Sequence, residues 1–283
     1  MTKILELPFL LKNDKVISLK KGHTTAKKWI VERDKNKYFL KEASSVIQGD
    51  VYEEINSSTK ALPKLIDQSV VGDKIYTLYE FKEGKDFEEL STDEILKYAI
   101  LTAKKLKQLS KTKTNLPTQD FQETIKKCKE EIDFYFEKRE DNLIVSKKEF
   151  LLFVDKFSTS FDCQKTVLLH GDIKPENIIF NDDVCFVDTD QMRYGFFLFN
   201  FEYSVQMFFD KREKYKKFLW KMVEEYYDDI LPEWFEDNLK FVCIKKFFNR
   251  AKMFVSANDE VGEKEFIQEF KPIFEFLKQQ TKE

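Results

Sequence analysis

Two short apolar runs, residues 166–169 and 184–187, flank the polar segment His170-Gly171-Asp172-Ile173-Lys174-Pro175-Glu176-Asn177, and Asp188-Thr189-Asp190 follows the second run at once. No other stretch narrows the possible folds as far. Bounded in this way the runs read as buried strands, so the chain presents Asp172 and Asn177 at the two ends of one loop and Asp188 at the end of the returning strand. That set has a specific chemical use. A carboxylate can hold and deprotonate a hydroxyl, while an amide oxygen and a second carboxylate can bind magnesium between the β- and γ-phosphates of a nucleotide, where charge develops during phosphoryl transfer. Asp172 fits the first task, and Asn177 and Asp188 fit the second. A polar hairpin loop can carry the same spacing by chance, so partner motifs elsewhere in the chain have to decide.

His-Gly-Asp-x-x-x-x-Asn followed by Phe186-Val187-Asp188 resembles the aminoglycoside phosphotransferase and choline kinase group, small-molecule kinases that share the protein-kinase fold. Gly171 stands where eukaryotic protein kinases have arginine, which is the habit of the small-molecule group. The string from Asp172 to Asn177 looks like the serine/threonine protein-kinase loop, in which the lysine, here Lys174, reaches the γ-phosphate. The resemblance implies an α+β, bilobal protein-kinase-like fold, with a small β-rich N-lobe and hinge in residues 1–82 and a larger, mostly helical C-lobe in residues 83–283. It further implies ATP or GTP and Mg2+ as cofactors, and a nucleoside triphosphate and a small-molecule acceptor as partners.

The partner motifs lie upstream. Gly22-His-Thr24-Thr25-Ala-Lys27 sits between two runs of strand character and would cover the nucleotide phosphates. Its Gly-x-Thr-x-Ala form resembles the aminoglycoside kinases, in which hydroxyl and amide groups bind phosphate, more than the three-glycine loop of protein kinases. Lys41 ends the next strand, where a lysine is the expected α/β-phosphate contact. A glutamate on the following helix, residues 51–62, should hold that lysine. Glu53 and Glu54 are the candidates, and Glu54 is preferred because it shares a face with Ser58, Ala61 and Leu62. Residues 74–84 look like the last strand and hinge of the small lobe, with Tyr79 at the back of an adenine pocket and the backbone of Glu80 and Lys82 at the base edge.

Further along, Ser91-Thr-Asp-Glu94 is a capping box that starts a helix with Ile95, Leu96, Ala99, Ile100, Ala103, Leu106 and Leu109 on one face. A loop over 111–120 leads to an inserted helical pair, 121–140 and 146–157, placed to wall the acceptor pocket. After Asp188 the resemblance calls for an aspartate that braces the catalytic loop, and Asn200 stands near that place as a neutral substitute. Asp190 reads as a solvated turn residue or as support for Asp188, with the turn favoured. Glu225, Asp228, Asp229 and Trp234 belong to an acidic, aromatic stretch without Lys or Arg between Met222 and Leu239. Such a stretch suits a cationic acceptor such as an aminoglycoside, and it equally suits a solvated face.

The remaining features exclude more than they assign. Lysines and acids are interleaved and the net charge is −3, so no nucleic-acid stripe is present. No run approaches the length of a membrane span, and the N-terminus lacks a signal-peptide pattern, so a cytoplasmic protein, monomeric or weakly dimeric, is expected. Cys128, Cys163, Cys185 and Cys243 have no metal-ligand spacing and read as buried thiols. The 29 phenylalanines accompany abundant Lys, Ile and Asn, as base-composition bias alone would produce. A protein kinase, a choline, sugar or metabolite kinase, and a non-catalytic nucleotide-binding protein stay open beside an aminoglycoside kinase.

Overall fold

The computed structural model describes residues 7–19, 27–43, 46–139, 143–160, 165–209 and 211–279. Gly22, Thr24 and Thr25, expected to cover the nucleotide phosphates, lie outside the described residues, as does Cys163. The N-terminal part is an antiparallel sheet of β1 (Lys15–Ser18), β2 (Lys28–Arg33), β3 (Asn36–Ala43), β4 (Leu65–Val71) and β5 (Lys74–Glu80), in the order β1-β2-β3-β5-β4. Asp34 and Lys35 both take positive φ between β2 and β3, the conformation that matches a tight turn to strand twist. Trp29, Val31, Leu40, Tyr76 and Leu78 form the core under this sheet. β4 was not anticipated. It is an edge strand whose residues are half-exposed or exposed along its length, so it lacks the alternation by which a strand is recognised.

Helix α1 (Gly49–Thr59) crosses behind the sheet, buries Tyr52, Ile55 and Thr59, and stops on a left-handed Lys60. Glu53 and Glu54 are both exposed on its outer side. The face shared with Ser58 is therefore not the one that meets the sheet: the apolar contacts of Tyr52 and Ile55 fix the rotation of the helix.

The C-terminal part is helical, with α2 (Thr92–Lys111), α3 (Phe121–Lys138), α4 (Lys147–Ser160), α5 (Glu213–Tyr226), α6 (Phe235–Ala257) and α7 (Glu260–Gln279). The capping box is formed, with Glu94 N donating to Ser91 Oγ at 3.3 Å and Ser91 N to Glu94 Oε2 at 2.9 Å. Ile95, Ala99, Ala103, Leu106 and Leu109 face inward as expected, joined by Tyr98 and Thr102, whereas Leu96 points outward. Against α2 lie two small antiparallel pairs, β6 (Val167–Leu169) with β9 (Arg193–Gly195), and β7 (Ile178–Phe180) with β8 (Val184–Phe186). Phe180 at the end of β7 sits among Tyr98, Phe87 and Phe218, with ring centroids 5.2, 5.7 and 5.9 Å away. Such rings clamp the base of the loop onto the helices, where aromatic pairs add about 0.5–1.5 kcal/mol each beyond area burial. Whatever the origin of the phenylalanine content, the fold uses it as core. Cys128, Cys185 and Cys243 are buried free thiols, and no described helix is long and apolar enough to cross a membrane.

Candidate active site

Lys41 pairs in register with Thr77 on β5 and with Lys28 on β2, which places its side chain over the gap between the sheet and the helices. The residue is 4% exposed. Its Nζ reaches Asp188 Oδ1 at 2.5 Å and Asp190 Oδ2 at 2.7 Å, so one ammonium joins the two halves of the molecule. Burial opposes the charge on Lys41, but Asp188 and then Asp190 outweigh it and hold the amine above the ordinary lysine range. Burial likewise opposes ionisation of Asp188, and Lys41 overcomes it to hold the carboxyl below its usual range. Two expectations change here. Among the described residues the carboxylates on Lys41 are Asp188 and Asp190, and Glu54 is not one of them, because α1 turns its glutamates to solvent. Asp190 does sit in a turn, the 3-10 segment Thr189–Gln191, yet its carboxylate is not simply solvated. Asp188 has φ 64 and ψ 57, a left-handed kink that Asp tolerates and that folds the chain back so both acids meet one ammonium.

The loop between β6 and β7 is held from behind. Asn200 Oδ1 accepts from His170 N at 2.9 Å and from Gly171 N at 3.2 Å, and Asn200 O accepts from Ile173 N at 2.7 Å. The amide thus braces the loop, as expected of a neutral substitute at this position. Ser204, which sequence reasoning missed, donates from Oγ to Ile173 O at 2.5 Å. Its signal was only a hydroxyl in an aromatic segment. His170 is fully buried, with Nε2 3.0 Å from Val187 O and Nδ1 facing the Asp172 amide at 3.4 Å. Burial pulls its pKa down to about 4, so the ring is a neutral strut between the loop and the strand that leads to Asp188. Gly171 takes φ +85, and a Cβ there would collide with Gln191 O and crowd Arg193 Nη1 at 2.7 Å. Glycine is required by the close approach as well as by the dihedral.

This bracing sets the front of the loop. Asp172 Oδ2 accepts from Asn177 Nδ2 at 2.8 Å and from Lys174 Nζ at 2.9 Å. Its other oxygen, Oδ1, is buried and has no hydrogen-bond partner. A buried carboxylate oxygen left open costs about 1–3 kcal/mol unless something else supplies a donor. Asn177 Nδ2 also donates to Asp172 O at 2.8 Å, which leaves the Asn177 carbonyl oxygen as its remaining polar atom. That oxygen and the Asp188 carboxylate are hard donors of the kind magnesium takes. Two carboxylates on Lys41 also leave an excess negative charge that a divalent ion would neutralise. Among the described residues no group of three or more His, Cys, Asp or Glu could hold a metal ion.

A cavity of about 240 Å³ opens between the sheet and this loop and brings together Lys41, Tyr79, Glu80, Lys82, Asn177 and Asp188. Phe39, Tyr52, Ile179 and Val187 supply apolar walls that sequence reasoning did not single out. Tyr79 packs obliquely on Tyr52 at 5.5 Å, and both rings line the cavity. The Glu80 amide is tied to Lys64 O at 2.9 Å.

The acidic stretch is elsewhere. Tyr215, near the start of α5, reaches Glu176 beside the loop, with 3.5 Å between its hydroxyl and Oε1. Glu225 lies at the far end of that helix, about 15 Å further on at 1.5 Å per residue. Asp228 pairs with Lys107 at 2.5 Å and Asp229 with Lys221 at 3.4 Å. Tyr226 stacks on Phe197 at 3.5 Å, and Trp234 meets Tyr227 at 5.9 Å. Glu225, Asp228, Asp229 and Trp234 are therefore not brought to Asp172: the aromatics were wanted by the core, and the acids cap the turn that follows.

Residues 18–215 match the family described as the phosphotransferase enzyme family, APH. The chain belongs to this family. The phosphotransferase is also similar to solved structures of the same kinase-like, two-lobed architecture. The apo form of a thermostable mutant of aminoglycoside phosphotransferase APH(4)-Ia superposes with a TM-score of 0.68 at 12% identity, covering 93% of this chain and 94% of that one. The AMP-bound complex of spectinomycin phosphotransferase APH(9)-Ia superposes with a TM-score of 0.67 at 13% identity, covering 99% and 98%. An ADP and spectinomycin complex of the same enzyme gives 0.62 at 15%, covering 93% and 92%. No curated protein sequence matches the phosphotransferase significantly. Likeness at such identities establishes the fold, and the α+β, bilobal expectation holds.

Proposed function

We propose that the phosphotransferase transfers the γ-phosphate of ATP or GTP, in a magnesium-dependent reaction, to a hydroxyl of a small molecule. The observation that carries this is Asp172 Oδ1, buried and without a hydrogen-bond partner while Oδ2 is held by Asn177 and Lys174. The hinge at Glu80 and Lys82 and the ring of Tyr79 hold the base, and Lys41 binds the α- and β-phosphates. Asn177 and Asp188 would hold a magnesium ion, which would supply positive charge against the charge that develops on the phosphates. Gly22, Thr24 and Thr25 cover the phosphates in this reading. Asp172 Oδ1 accepts the hydrogen bond of the acceptor hydroxyl, aligns its oxygen with the γ-phosphorus, and takes the proton as the new O–P bond forms and the β–γ bridge breaks. Lys174, held on Asp172 Oδ2, stands beside the phosphoryl group in transit and stabilises its charge.

Measurement of acceptor-dependent nucleoside diphosphate release tests the reading. Asp172→Ala should lower turnover on the order of a hundredfold or more with little change in nucleotide affinity, and chelation of magnesium should abolish it. Equal losses in nucleotide binding and turnover for the alanine variant would make Asp172 a structural residue. A cationic, aminoglycoside-like acceptor is a second reading, favoured by the spectinomycin complex of a similar fold; the charges beside Asp172 favour a different class.

A further inference from the structure

Beyond Asp172 lies a second cavity of about 300 Å³, formed by α3, α6 and the segment from Gln191 to Tyr203. It adjoins the catalytic loop: Arg193, which lines it, has Nη1 2.7 Å from where a Gly171 Cβ would be. An acceptor seated in this cavity would approach the catalytic loop from the side of Gly171 and Arg193.

The carboxylates of this cavity are already matched. Glu202 accepts from Arg193 Nη2 at 3.1 Å and also pairs with Lys245, and Glu131 faces Lys252 at 3.8 Å. Arg193 is in turn saturated, with Nε on Gln119 Oε1 at 3.2 Å and Nη1 on Gln191 O at 2.8 Å. An ammonium on the acceptor would find no free acid except the base itself. The unmatched groups are two cations outside the lining itself, next to its residues Lys245, Asn249 and Tyr203. Lys246 Nζ lies 5.0 Å from the ring centroid of Tyr203, and Arg250, one turn on along α6, lies 5.2 Å from that of Phe254. Neither has a carboxylate at ion-pair distance among the described residues. Like charges spaced four apart on a helix repel. Burial and then Arg250 pull Lys246 below the ordinary lysine range, against the opposing fields of Glu202 and Asp172.

We propose that the acceptor is an anionic hydroxyl compound whose carboxylate or phosphate is held by Lys246 and Arg250 above Tyr203 while its hydroxyl meets Asp172 Oδ1. Binding would relieve the repulsion of the two cations and leave the base free for the hydroxyl proton. The assignment rests on the phosphotransfer reading and names its substrate class.

The test compares matched acceptors in nucleoside diphosphate release: hydroxy acids against their amides, sugar phosphates against the free sugars, and aminoglycosides and choline beside them. The anionic member of a pair should support turnover and its neutral partner should not. Preference for carboxylates or for phosphates then tells the two oxyanions apart. Lys246→Glu should raise the Michaelis constant for the anionic acceptor roughly ten- to a hundredfold, the range of a charge-assisted hydrogen bond, with the nucleotide constant unchanged and Lys246→Arg restoring most of it. A second readout needs no turnover: malate or methyl phosphate should raise the melting temperature of the wild type and of Lys246→Arg, and not of Lys246→Glu. Preferred use of cationic or neutral acceptors, an unchanged Michaelis constant in Lys246→Glu, or no Lys246-dependent response to any anion in either assay would overturn the proposal. Failure of the underlying reading looks different: acceptor-dependent release that survives Asp172→Ala.

Discussion

Lys41 shows how single residues divide the labour in this site. One ammonium carries two carboxylates, and the two are not equivalent. Asp188 follows β8 directly and faces Asn177 across the cavity, whereas Asp190 arrives through the left-handed turn that Asp188 itself makes. Asp188→Asn should therefore lower kcat/KM for the magnesium nucleotide on the order of a hundredfold or more, since an anionic ligand to a hard ion is lost. Asp190→Asn should cost roughly tenfold or less, because Asp188 still neutralises Lys41. Steady-state kinetics across a magnesium titration distinguish them, and a reversed order would put the metal on Asp190. His170 supports a different kind of prediction. Its pKa in the folded protein, about 4, lies below the value of 6.5 for a free imidazole, so the unfolded chain binds more protons between these limits. Its contribution to stability is complete above about pH 6.5 and declines as the pH falls towards 4, by about 3 kcal/mol at most. Denaturant midpoints measured from about pH 7 down to about pH 4.5 should fall less steeply in His170→Gln than in the wild type. Parallel slopes would mean that other groups carry the acid sensitivity.

At the scale of elements, the loop between β6 and β7 has almost no secondary structure of its own and borrows its rigidity. Asn200 supplies acceptors to three of its amides, and Ser204 a donor to one of its carbonyls. Asn200→Ala leaves the His170 and Gly171 amides buried without their side-chain partner, which should destabilise the fold by about 1–3 kcal/mol per orphaned group and lower kcat through a loosened Asp172. Asn200→Asp keeps the acceptor oxygen and should retain most of the activity. Thermal melts and turnover of the pair check this; equal damage from both would mean that shape, not the acceptor oxygen, is what matters. The brace was legible as a region because Asn200 stands near the place where the resemblance calls for an acid. Ser204 was not, since one hydroxyl among aromatics carries no periodic signal. β4 escaped for a related reason: an edge strand exposed along much of its length has no alternation to read.

On the scale of the whole molecule, two clusters of charge have opposite standing. Asp228 and Asp229 close the turn after α5, with φ of 55 and 61, and each faces one lysine at the surface. Asparagine tolerates that backbone, so Asp228→Asn with Asp229→Asn should change stability by about 1 kcal/mol or less and leave the acceptor Michaelis constant unchanged. A raised constant would return the acidic stretch to the acceptor site. The cations Lys246 and Arg250, by contrast, lie on α6, and Lys246 meets Tyr203 only because α6 packs beside the segment that follows Asn200. Nothing within α6 marks them, whose helix is apolar on most sides.

What the sequence determined was local. Two apolar runs around a polar loop dictated how Asp172, Asn177 and Asp188 are delivered; the strand before Lys41 dictated that its amine emerges at the cavity; Ser91 and Glu94 dictated where α2 begins. Each is a matter of spacing along one or two adjacent elements, where strand and helix periods convert order into direction. The tertiary structure alone decided which distant group each side chain would meet. It gave Lys41 to Asp190 and not Glu54, it took Tyr226 and Trp234 for the core, and it set Lys246 over the ring of Tyr203. Periodicity states which face of an element is buried, whereas the partner of that face is chosen by apolar contacts between elements far apart in the chain, which here rotated α1 onto Tyr52 and Ile55 and turned its acids outward.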